Sequence, residues 1–144
     1  MSKENNILPD LPSWFAHGRE HLETYYHEMA DLHQSIHTIS SSEDLEAILG
    51  AAESLSCLSK HVEGMRSPKW FESRTAQKGA AFPRTEVLRI EELALATSQQ
   101  LEMIADQMSW GESTERQFVQ VNRNLPHIVH LLEQTLSWLD KEIR

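Results

Sequence analysis

Cysteine is all but missing from this 144-residue chain: Cys57 stands alone, so no internal disulfide can form. A single thiol suits a reducing compartment. Long apolar runs are missing as well, since no stretch approaches the roughly 18 residues that span a bilayer. Met1-Ser2-Lys3-Glu4-Asn5-Asn6 has no basic start followed by an apolar run, so no secretory leader is expected. No segment alternates with period two over a useful length, which argues against strands. Internal repeats and low-complexity tracts are absent. So are Gly-rich phosphate loops, Gly-x-Ser-x-Gly, Cys-x-x-Cys and His-Glu-x-x-His. These absences leave the expectation of a soluble, cytoplasmic protein without a cofactor and without a membrane segment.

What is present is ordinary for a folded chain: 40% hydrophobic and 24% charged residues, enough for one domain with its own core. Net charge is −9 and unevenly spread. Residues 1–65 carry −8, residues 66–84 carry +4, and residues 85–144 carry −5. An acidic body repels phosphate backbones, so direct nucleic-acid binding is disfavoured.

Apolar side chains recur at steps of three and four, the spacing of one helix face. Residues 1–12, with Pro9 and Pro12, read as a flexible arm. Ser13 is then a candidate cap for a helix over about 13–39, with Phe15, Leu22, Tyr25, Met29, Leu32 and Ile36 on its stripe. Ser40 and Glu43 stand at capping-box spacing before a second helix over about 43–65, carrying Leu45, Ile48, Ala52, Leu55, Leu58 and Val62. A third follows Pro83 over about 84–109, with Val87, Ile90, Ala94, Thr97, Leu101 and Ile104, and stops at Gly111. A fourth, capped by Ser113 or Thr114, covers about 113–142 with Phe118, Val121, Leu125, Ile128, Leu132 and Leu139. Pro126 inside it predicts a kink, or a restart with Asn124 as cap. Val129, Leu136 and Ile143 form a second row that, with Trp138, is the candidate surface for self-association into a dimer. The expected architecture is an all-α, four-helix bundle-like single domain with a long connection between helices two and three.

That connection is the one basic stretch. Lys69, Trp70, Phe71, Arg74, Lys78, Phe82 and Arg84 interleave cations with large apolar groups, the residue types that anchor interfaces. Ser67, Pro68 and Gly79 are placed to bound a short fifth helix. Two readings stay open: a crossover whose aromatics are buried under the bundle end, or a contact site for an acidic partner protein.

Five histidines crowd the first helix, and His17/His21 and His33/His37 have the i,i+4 spacing that lets two imidazoles share a metal. Their angular positions do not converge, and each pair needs further ligands, from His127, His130 or nearby glutamates. No metal site is therefore assigned. Cys57, with Lys60 and His61 within one turn, lies well off its helix's apolar stripe and is expected to point to solvent rather than into a cleft.

The run Arg123-Asn124-Leu125-Pro126-His127-Ile128-Val129-His130 resembles the Arg-polar-x-x-x-x-x-His element of HEPN-type helical ribonucleases. The resemblance implies an Arg and a His from two subunits cleaving RNA without metal, here Arg123 and His130. It covers eight residues, and Pro126 departs from the continuous helix such an element needs. With no paired catalytic groups, the leading expectation is a non-enzymatic interaction protein: an adaptor, chaperone, inhibitor or regulatory subunit. A metal-binding bundle and the ribonuclease are the alternatives.

Overall fold

The computed structural model describes residues 11–42, 44–65 and 84–143, with side chains over 18–39, 44–64 and 85–141. Four helices account for nearly all of them: α1 (Leu11–Ser42), α2 (Leu45–Met65), α3 (Arg84–Ser109) and α4 (Glu115–Ile143). No strand occurs among the described residues. The chain is an all-α four-helix bundle. Helices α2 and α3 are neighbours, as are α3 and α4, α1 and α4, and, least extensively, α1 and α2.

Cross-helix hydrogen bonds give the directions. Ser59 Oγ donates to the Glu91 carbonyl at 3.1 Å, and Ser98 Oγ to the Ala52 carbonyl at 2.7 Å. Moving up α2 moves down α3, so the pair is antiparallel. Asn124 Nδ2 donates to Thr97 Oγ1 at 3.1 Å, and Gln117 Nε2 lies 3.7 Å from Met103 Sδ, which sets α4 antiparallel to α3. Arg19 Nε reaches Asp140 Oδ1 at 2.7 Å while Tyr26 Oη donates to Glu133 Oε2 at 3.1 Å, so α1 runs against α4. The four rods alternate up and down.

The stripes read from spacing form the core. Leu22, Leu55, Ile90 and Leu125, one from each helix, are fully buried in one continuous apolar cluster. Buried hydroxyls are satisfied: Thr97 and Thr135 donate to carbonyls four residues back, at 2.7 and 2.9 Å. A bare hydroxyl in this core would cost about 1–3 kcal/mol.

Several helix ends differ from expectation. Helix α1 begins at Leu11, before Ser13, and takes in the last two residues of the expected arm; Pro12 falls in its first turn, where a missing N–H costs nothing. It also runs on through Ser42, so Ser40 lies inside a helix rather than at the start of the next one. Asp44 is the cap of α2 instead: its Oδ1 accepts from the Ala47 amide at 3.2 Å, and its carbonyl from Ile48 at 3.1 Å. At the far end of α3, the Glu112 amide bonds the Gln107 carbonyl at 2.8 Å and the Gly111 amide bonds the Met108 carbonyl at 3.2 Å. This paired closure needs a left-handed residue, and Gly111 supplies it with φ +73°. The Thr114 carbonyl accepts from Phe118 at 3.0 Å, which makes Thr114 the first residue of the α4 cap.

Helix α4 is unbroken from Glu115 to Ile143 with Pro126 inside it. The expected restart does not occur, because the Asn124 amide is used across the α3–α4 seam rather than as a cap. Leu136 is buried, and Val129 and Trp138 pack half-buried against the same core. The row assigned to self-association is thus largely consumed inside the bundle, with Ile143's side chain outside the described residues.

Candidate functional site

Lys69, Trp70, Phe71, Arg74, Lys78 and Phe82 lie outside the described residues; Arg84 opens α3, its side chain likewise undescribed. The side chain of His17 is undescribed as well, and the other candidates are placed. His33, His37, His127 and His130 are exposed, as is His27, whose ring meets Tyr26 edge-on at 5.3 Å. Among the described residues no three His, Cys, Asp or Glu side chains are grouped to hold a metal ion. Arg123 and His130 are both exposed on α4.

The histidine pairing that the structure does make was not among the i,i+4 pairs. His21 of α1 faces His61 of α2, ring centroids 5.2 Å apart, with Tyr25 at 5.7 Å on the same His61 ring. These three rings close one end of the α1–α2 seam. His61 Nε2 is buried with no hydrogen-bond partner among the described residues. Burial lowers the His61 pKa below the usual imidazole range, the neighbouring His21 lowers it further, and the Gly18 backbone pulls weakly the other way. Tyr25 is held above the ordinary phenol value by burial first, then by Cys57 and Glu28.

The His61 shift has a consequence for stability. With a folded-state pKa below its value in the unfolded chain, near 6.5, His61 takes up a proton more readily once the chain unfolds. Its contribution is therefore complete above about pH 6.5 and is lost as pH falls from there through the folded-state value. Urea unfolding between about pH 7.5 and 5 is expected to show a steeper loss for wild type than for His61→Phe; parallel curves would refute the assignment.

Beyond the three rings the seam opens. Two adjoining hollows of about 370 and 290 Å³ share Glu28, Gly50 and Ser54 and form one trough between α1 and α2. Met29 and Leu32 of α1 are its apolar floor, and Ala47, Gly50, Ala51 and Ser54 of α2 its low wall. Gly50, exposed on this wall, has room for a Cβ with no other atom within 4 Å of it. Cys57 is exposed, as expected, yet it lines this trough with Tyr25 and Glu53 rather than facing open solvent away from any cleft. Among the described lining residues each charged side chain is an acid: Glu28, Asp31 and Glu53. From residue 20 to residue 59 the chain has eight Asp or Glu and no Lys or Arg.

No family model matches the chain, no curated protein is detectably similar to it, and no solved structure matches it. The geometry of the chain itself therefore carries the functional argument. The trough is what spacing missed, though two signals pointed there. One is the cation-free run. The other is the set of small residues at 47, 50, 51 and 54, a second helical face on α2 beside the apolar one. No helix among the described residues is long and apolar enough to cross a membrane.

Proposed function

We propose that this chain is a non-enzymatic protein–protein interaction module, of the adaptor, chaperone, inhibitor or regulatory-subunit kind. It offers an acidic helical body and a basic aromatic contact segment, residues 66–84. The observation that carries the reading is the α1–α2 trough, an unfilled apolar hollow with an acidic rim on a bundle whose other three seams are more extensively packed. Recognition by such a surface needs shape and charge rather than a reacting group. A cytoplasmic setting fits the lone thiol.

Self-association belongs to the same reading. With Leu136 buried, the exposed apolar side chains available to support it include Leu49 on α2, Leu95 on α3 and Val119 on α4, each about half exposed, and Trp110, which is 81% exposed. The contact segment is tested by Trp70→Ala combined with Arg74→Ala. Capture of partner protein from native lysate is expected to be abolished while helicity stays intact, and undiminished capture would remove the segment from the account.

A further inference from the structure

Resting on the interaction reading, the geometry points to one class of occupant for the trough: a basic, amphipathic helix of a partner protein. Three observations converge on it. The first is dimension. The α2 wall runs from Ala47 to Cys57, about 15 Å at the rise of an α-helix, or roughly three turns. An incoming helix of that length presents apolar anchors at i, i+4 and i+7 along one line.

The second is the wall itself. Both walls are helices, whose backbone amides and carbonyls are already paired internally, so the trough offers no sheet edge. An extended peptide laid there would leave its own backbone groups unpaired, whereas a helix arrives with them satisfied. Gly50 and the short side chains at 47, 51 and 54 let its ridge approach closely, above the Met29 and Leu32 floor.

The third is charge. Glu28 and Asp31 stand on the α1 side and Glu53 on the α2 side, with no Lys or Arg between residues 20 and 59 to offset them. A helix with Lys or Arg on both flanks of its apolar stripe meets an acid on each side. An acidic helix or a phosphate backbone meets like charge at the same places.

The test uses full-length protein and a fluorescein-labelled model helix with leucine at i, i+3, i+4 and i+7 and lysine elsewhere. Saturable one-to-one binding is expected, and none for the same peptide with glutamate in place of lysine. Gly50→Leu, which adds a bulky side chain to the trough wall where a Cβ meets no atom within 4 Å, is expected to weaken binding by at least about tenfold. The triple reversal Glu28→Lys, Asp31→Lys, Glu53→Lys is expected to do the same. Reversal of the exposed pair Glu92→Lys, Glu102→Lys on α3 is expected to change it less than about twofold. Circular dichroism of each variant reports that the bundle is intact. No binding by wild type, equal binding of the glutamate peptide, full binding by Gly50→Leu, or equal losses from the α3 reversal would each overturn the proposal. Lysate capture that survives Gly50→Leu but not Trp70→Ala with Arg74→Ala would sink the trough and leave the broader reading standing.

Discussion

Leu125→Ala is expected to cost about 2–5 kcal/mol of unfolding free energy, the range for deleting a buried leucine from a close-packed core. Leu125 is fully buried in the cluster that draws on all four helices. Truncation removes apolar contacts and leaves a cavity that helix backbones close only in part. Leu95→Ala is the matched control, since Leu95 is 47% exposed on α3. It is expected to stay within about 0.5 kcal/mol of wild type. Equal costs at the two positions would mean that the stripes do not face one another as described. Urea unfolding followed by far-ultraviolet circular dichroism reads both.

The next residue along is expected to respond with the opposite sign. Pro126→Ala should stabilise the protein, by as much as about 3 kcal/mol, the penalty of proline in a helix interior relative to alanine. Pro126 is exposed within α4, so its replacement removes no buried side chain. Alanine restores an amide able to donate to the Asn122 carbonyl and removes the ring that crowds it. For a chain of this size each kcal/mol gained corresponds to about 2–4 °C in Tm. A Tm that falls would show that the helix is shaped around the proline, with the side chains beyond it aimed by a bend that alanine straightens.

These two neighbours also show how far spacing reaches. Leu125 was legible as core because three-and-four periodicity reports which side of a helix is greasy, and that depends on the helix alone. Pro126 predicts a kink or a restart because proline removes an amide and crowds the preceding turn; the restart does not occur, since packing on both sides of the residue, from Phe118 to Leu139, holds one helix through it. The same competition explains Ser40–Ser42, which cap well in isolation but continue α1 once Asp44 takes the capping role.

The trough lies beyond the reach of periodicity for a different reason. Tyr25 and Leu32 sit on the α1 stripe with Leu22 and Met29, and a stripe says nothing of the distance to the facing helix. In the fold those two are half-buried, because α1 lies mainly against α4 and meets α2 least of its neighbours. Small residues at 47, 50, 51 and 54 would ordinarily draw two helices together; here they border open space. The His21–His61 contact was hidden likewise, since i,i+4 spacing can pair histidines only within one helix.

The most direct measurement of the central claim uses the single thiol. Cys57 is exposed on the trough wall, so a bulky maleimide there is expected to occupy the hollow and to leave the unfolding midpoint of the bundle unchanged. Titration of the lysine-bearing helix into labelled and unlabelled full-length protein is predicted to show at least about a tenfold weaker Kd for the labelled form. Equal affinities with the label in place would contradict the account.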